Sequence, residues 1–254
     1  MSTLQFNNNE THSGAIILSN TGTSLNCSGG GNFAKSLACP YVDENYAKFV
    51  DDFYGNTFSS AWNNASTGNA TATLNDGSAP SCAILNSSGT EGSYAQLNWN
   101  GKNSIDITKN TYVETRIKLL QTSATTAPAQ ANCFVDVQLS STDFKASIGY
   151  YDALSAGGSS ANFYVRTWNG ATTFSTTSIT VDASYHYFKM TFLNGGDLTV
   201  YHRTSQSNPW ASIHATAKES LGTAPAQIIF QNSRVTGIGT SLYVDYIKLF
   251  TARE

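Results

Sequence analysis

The stretch Leu242-Tyr243-Val244-Asp245-Tyr246-Ile247-Lys248-Leu249-Phe250 closes the chain and decides its fold. It is dense in β-branched and aromatic residues and reads as one long strand. Its counterpart stands near the first quarter of the sequence, where Asp51-Asp52-Phe53-Tyr54-Gly55 is followed by Trp62. Between these bookends, short runs of strand-forming residues are broken by Gly, Asn, Ser and Thr. The pair predicts one closed β-sandwich of about 200 residues, a size that all-β domains commonly reach. A poorly charged N-terminal arm precedes it.

Strand candidates recur at regular intervals. They are Ala70–Leu74, Tyr94–Trp99, Thr111–Leu119, Cys133–Leu139, Lys145–Tyr151, Asn162–Trp168, Tyr185–Phe192, Asp197–Tyr201, Ile228–Gln231 and the closing stretch. Side chains alternate faces along a strand. Val113, Thr115, Ile117 and Leu119 therefore share an inner face, with Glu114, Arg116 and Lys118 outward. The same alternation places Val135, Val137 and Leu139 inward in the Cys133 segment, and Phe188, Met190 and Phe192 together on one face. Asn194-Gly195-Gly196 predicts a tight hairpin between its flanking strands. Ten or more strands with no helical material predict an all-β fold of two packed antiparallel sheets over residues 49–254. Residues 1–48 form an extended arm and hinge, anchored by Leu4, Phe6, Ile16, Ile17 and Leu18, with Tyr41, Tyr46 and Phe49 fixing it to the sandwich. Such an arm suits β-pairing with a neighbouring subunit, a flexible tail being the alternative reading.

Charged residues make up 12% of the chain, about half the usual share. Ordinary hydrophobicity (40%) and abundant aromatics, 13 Phe, 13 Tyr and 4 Trp, argue that the body folds. The net charge is −3 and no Lys/Arg cluster is expected anywhere on the molecule, so no nucleic-acid partner is expected. No apolar stretch is long enough to insert into a membrane as a helix. Met1–Asn7 lacks the charged and apolar regions of a signal peptide, so synthesis in a cytoplasm is expected. Cys27, Cys39, Cys82 and Cys133 fit no zinc or redox spacing. A Cys27–Cys39 bridge stays open, although a reducing compartment favours free thiols. Sequons at Asn9, Asn26, Asn64, Asn69 and Asn86 follow from an Asn/Ser/Thr-rich composition.

Catalytic patterns are absent. No paired carboxylates at strand spacing announce a glycosidase; Glu114 sits beside Arg116 and Lys118 as on a solvated strand. His12, His186, His202 and His214 form no metal or triad motif, though His186 and His202 are candidates for neighbouring strands. The chain is expected to be no enzyme and to need no cofactor. A weaker Ca²⁺ possibility rests on Asp51, Asp52 and Asp245, should the chain ends meet. Trp99, Tyr164, Trp168 and Trp210 are candidate stacking surfaces for a glycan.

Asp52-Phe53-Tyr54-Gly55 with Trp62, Val113–Lys118, Tyr185-His186-Tyr187-Phe188-Lys189 and Val244–Leu249 together resemble the concanavalin A-like jelly roll of lectins, laminin G-like modules and glucanases. More narrowly, they look like its version in tailed-bacteriophage virion proteins. The resemblance covers about residues 50–250 and implies a two-sheet jelly-roll sandwich. It implies a capsid decoration or cement protein, synthesised in a host cytoplasm and placed on the virion surface. Its partners would be the major capsid protein and copies of itself, as in a trimer. The alternative it implies is a lectin-like module of a phage tail or capsid that binds host surface glycans.

Overall fold

The computed structural model describes residues 46–75, 81–87, 92–101, 104–105, 109–121, 131–138, 144–150, 162–168, 172–193, 197–217, 226–234 and 240–252. Within them the chain is all-β. The strands are β1 (Tyr46–Asp51), β2 (Asn63–Asn64), β3 (Thr71–Asn75), β4 (Cys82–Asn86), β5 (Tyr94–Asn98), β6 (Thr111–Gln121), β7 (Ala131–Gln138) and β8 (Phe144–Tyr150). They continue with β9 (Asn162–Trp168), β10 (Thr172–Thr180), β11 (His186–Phe192), β12 (Asp197–Arg203), β13 (Ala211–Ala217), β14 (Gln227–Arg234) and β15 (Thr240–Ala252). The eight-stranded sheet runs β13-β12-β11-β6-β15-β4-β3, with β1 also on β15, and the seven-stranded sheet runs β10-β9-β8-β7-β14-β5-β2. All described pairings are antiparallel.

The bookends meet. β1 pairs with the second half of β15, from Tyr46 opposite Ala252 to Asp51 opposite Ile247. This corrects the reading of Tyr46 and Phe49 as an arm hinge: both lie in a strand of the sandwich itself, which starts by Tyr46 rather than Phe49. The Phe49 ring packs edge-on against Trp62 and Trp99, with centroids 6.0 and 5.1 Å away. Leu4, Phe6, Ile16, Ile17, Leu18 and Tyr41 lie outside the described residues. Five of the described strands escaped the sequence reading, β1, β2, β4, β10 and β13. β10 and β13 are rich in Thr, Ser and Ala, so their composition resembles loop.

The core lies between the sheets. Phe53, Trp62, Leu85, Leu97, Trp99, Ile117, Phe163, Phe188, Phe192, Phe230, Val244 and Ile247 are buried together. Val113, Thr115, Ile117 and Leu119 are all buried, as alternation predicts. β15 departs from simple alternation. Its pairing with β6 shifts between Val244 and Tyr246, so Asp245 is an extra, bulged residue. Leu242, Val244, Ile247 and Leu249 consequently all face the core.

A fully buried polar side chain ties the two sheets. Asn232, fully buried on β14, donates through Nδ2 to the carbonyls of Leu85 on β4 (2.8 Å) and Thr240 on β15 (2.7 Å). Its Oδ1 accepts from Thr240 Oγ1 at 2.8 Å. A buried amide satisfied on both sides fixes the relative position of the layers. A second buried pair joins adjacent strands: His186 Nδ1 and His202 Nε2 are 3.0 Å apart, and His186 Nε2 lies 3.0 Å from Asp182 Oδ1. Burial, then the neighbouring His186, pushes His202 down to about 4 from 6.5.

Two outcomes follow from these interior groups. Asn232→Ala strands two carbonyls and a hydroxyl, and should cost about 2–4 kcal/mol in urea unfolding; a cost under about 1 kcal/mol contradicts the bridging role. Between pH 6.5 and 4 the unfolded chain binds a proton at His202 that the folded chain refuses. Stability should therefore be complete above pH 6.5 and fall by about 3 kcal/mol as pH approaches 4. His202→Gln should remove that part of the fall, and an unchanged profile in the variant contradicts the assignment.

Candidate functional site

The opening turn is built on Asp51. Its Oδ1 accepts from the Phe53 backbone N–H at 2.8 Å, and its Oδ2 accepts from Trp62 Nε1 at 2.8 Å and Ser59 Oγ at 3.2 Å. Phe53 holds a left-handed backbone (φ +52°), unusual for a bulky residue. The carboxylate stabilises that conformation and aims the Phe53 and Trp62 rings into the core, 5.6 Å apart. Asp52 Oδ1 accepts from the exposed Tyr54 N–H at 3.3 Å. Asp245 Oδ2 accepts from Arg116 Nη1 at 2.9 Å. The three candidate metal ligands thus have separate partners, and among the described residues no group of three or more His, Cys, Asp and Glu converges.

The four candidate stacking residues separate. Trp99 is fully buried and belongs to the core, which corrects its assignment as a glycan contact. Tyr164 is 3% exposed and meets Phe174 edge-on at 6.5 Å, so its ring too is taken up by packing. Trp168 ends β9 opposite Thr172; its side chain lies outside the description. Trp210 stays partly exposed, with Arg203 4.2 Å and Lys189 4.8 Å from its ring centroid.

Trp210 borders a larger feature, the outward face of the eight-stranded sheet. Strand register sets the charged and aromatic side chains in rows. Tyr201, Lys189, Glu114 and Lys248 stand opposite one another in sequence across β12, β11, β6 and β15. The next row is Arg203, Tyr187, Arg116 and Tyr246. Lys118 faces Tyr243 in a third. Arg116 lies 4.2 Å from the Tyr185 ring, Lys118 4.3 Å from Tyr243, Lys189 4.8 Å from Tyr201 and Lys248 4.5 Å from Tyr246. Glu114 accepts from Tyr246 Oη at 2.6 Å and pairs with Arg203 at 3.3 Å. Burial, then the Glu114 carboxylate, drives the Tyr246 phenol far above its ordinary range. The expectation of no cation cluster is corrected here: sequence neighbours are not spatial neighbours in a sheet, and four strands bring together five cations.

The outward face of the seven-stranded sheet differs in kind. Asn63 Nδ2 donates to Asn98 Oδ1 at 3.4 Å, Asn98 Nδ2 to Gln96 Oε1 at 2.6 Å, and Gln96 Nε2 to Gln231 Oε1 at 2.6 Å. This head-to-tail row spans β2, β5 and β14. Each carboxamide has two N–H donors and an acceptor oxygen with two lone pairs. The row therefore leaves hydrogen-bonding capacity at the partly exposed Asn63, Gln96 and Gln231, with the buried Asn98 linking Asn63 to Gln96. Tyr94 shares the face two residues from Gln96 and is partly exposed. Further across the sheet, Arg166 Nε donates to Ser147 Oγ at 3.1 Å. The sequence signal for this row was the spacing of Tyr94, Gln96 and Asn98 on one strand face, but Asn63 and Gln231 join only through pairing.

No protein-family model matches the chain, and no curated protein matches it. Solved structures do. The exoplasmic/lumenal domain of VIP36, in a Ca²⁺-bound form, has a TM-score of 0.56 at 11% identity, over 84% of this chain and 94% of that one. A glycoside hydrolase family protein from Mycobacterium thermorestibile has a TM-score of 0.55 at 13% identity, over 80% and 99%. A botulinum neurotoxin type C structure, from work relating cell entry to interaction with two ganglioside molecules, has a TM-score of 0.51 at 13% identity. The match covers 76% of this chain and 44% of the neurotoxin chain, so this chain spans less than half of that relative. These likenesses, with the two-sheet topology, give the chain a concanavalin A-like jelly-roll fold.

Asp51→Ala should cost about 2–3 kcal/mol, because it removes a charged acceptor shared by a backbone amide, an indole and a hydroxyl. Urea unfolding with Trp fluorescence checks this. Wild-type stability in the variant contradicts the structural role of Asp51.

Proposed function

We propose that this chain is a carbohydrate-binding module that acts by recognition rather than turnover, with the amide row of the seven-stranded sheet as its sugar-contact surface. The carrying observation is the row itself: four carboxamides, Asn63, Asn98, Gln96 and Gln231, held in line by one another beside Tyr94. Sugar hydroxyls both donate and accept, and a preoriented carboxamide can answer both at little entropic cost. A neighbouring ring offers an apolar face to the C–H surface of a pyranose. The absence of charge along the row favours a neutral glycan.

Binding without chemistry is supported by the two carboxylates of the opposite face, since Glu114 and Asp245 are each engaged by an arginine. Calcium belongs to the same reading as an optional partner, by analogy with the Ca²⁺-bound VIP36 domain. Asp51, Asp52 and Asp245 are a poor fit for it, each being engaged elsewhere. A capsid setting draws on the arm, and none of the structures named above is a virion protein. The glycan reading therefore stands ahead of decoration of a phage head.

A glycan array probed with the full chain, with calcium and after chelation, tests the proposal. At least one neutral glycan should bind, and Gln96→Ala/Gln231→Ala should weaken it about tenfold or more with little change in Tm. No binding across the array, or binding untouched by the double variant, overturns it.

A further inference from the structure

We infer that the outward face of the eight-stranded sheet is a second binding surface, built for an anionic polysaccharide and separate from the amide row. The first argument is charge. Arg116, Lys118, Lys189, Arg203 and Lys248 share this face with only two described carboxylates, Glu114 and Asp245, on a chain whose net charge is −3. The face is thus a positive island on an acidic protein, and it attracts anions while the rest repels them.

The second argument is which cations are uncommitted. Arg116 is bound to Asp245 and Arg203 to Glu114. Lys118, Lys189 and Lys248 form no salt bridge among the described residues; each instead lies over a ring, at 4.3 Å from Tyr243, 4.8 Å from Tyr201 and 4.5 Å from Tyr246. A lysine resting on a ring keeps its positive charge and its N–H donors available to a ligand. Lys189 also feels its own kind: burial lowers its affinity for the proton, Glu114 restores some of it, and Arg203 lowers it again. An arriving anion relieves that crowding.

The third argument separates a polysaccharide from other polyanions. The cations alternate with partly exposed rings, Tyr185, Tyr201, Tyr243 and Trp210, while Tyr187 and Tyr246 are buried beneath them; the spacings are those of a sheet, about 5 Å between strands and 7 Å along one. A sugar polymer carrying a sulfate or carboxylate every one or two residues offers the same alternation of charge and apolar C–H surface. Duplex nucleic acid carries a charge about every 1.7 Å and would set phosphates over Glu114 and Asp245. The face is a matrix of rings and point charges, which matches intermediate charge density.

The probes are dextran sulfate of low substitution, with no more than about one sulfate per glucose, unmodified dextran, poly(vinyl sulfonate) and a DNA duplex, each titrated into the full chain at several salt concentrations. Dextran sulfate should bind, more tightly than poly(vinyl sulfonate) or DNA, with affinity falling steeply as salt rises; dextran should not bind at this face. Lys118→Gln/Lys189→Gln/Lys248→Gln should weaken dextran sulfate binding about tenfold or more and flatten the salt slope by about two to three. The single Lys248→Gln, which leaves every described salt bridge intact, should weaken it in the same direction. Gln96→Ala/Gln231→Ala should leave it unchanged, so failure of the amide-row reading and failure of this one are distinguishable. No dextran sulfate binding at low salt, wild-type affinity in a folded triple variant, or equal or tighter binding of the sulfonate polymer or DNA each overturns the inference.

Discussion

The bulge at Asp245 is the constraint on which the structure turns. β15 is the longest strand and touches three others, β6 along one side and β4 then β1 along the other. A strand of strict alternation that buried Leu242 and Val244 would also bury Tyr246 and Lys248. The extra residue resets the phase, so Ile247 and Leu249 reach the core and Tyr246 and Lys248 face out. The same residue supplies the carboxylate that holds Arg116. Core packing, closure of the bookends and the cation–aromatic face therefore rest on one local irregularity.

The two outward faces divide the chemistry of the molecule. One carries the uncharged amide row; the other alternates cations with rings. Neither is tied to the opening turn, where Asp51 spends its carboxylate on Phe53, Ser59 and Trp62. The interior is equally committed: Asn232 joins the layers and the histidine pair sits among Phe163 and Phe188. That leaves the sheet faces as the surfaces with unspent hydrogen-bonding and electrostatic capacity among the described residues.

Much of the fold was legible in the sequence because alternation is local. The buried faces of Val113 to Leu119 and of Phe188 to Phe192 read correctly from spacing alone. β10 and β13 did not, because threonine-, serine- and alanine-rich strands carry the composition of loops and are recognisable only by their partners. The sites were less legible for a related reason. Trp99 resembled a surface ring until the packing of Phe49 and Trp62 against it put it in the core. The five cations of the eight-stranded sheet are spread from Arg116 to Lys248, and the amide row from Asn63 to Gln231. Both become sites through strand order, which the linear pattern does not encode.

The central claim is that sugars are read by the amide row. Side-chain carboxamide resonances in ¹⁵N–¹H spectra of the full chain, followed during titration with a glycan it binds, test this most directly. The account predicts shifts at Gln96, Asn98 and Gln231 with the buried Asn232 amide unmoved. Shifts confined to other positions, with those three amides unchanged at saturation, would contradict it.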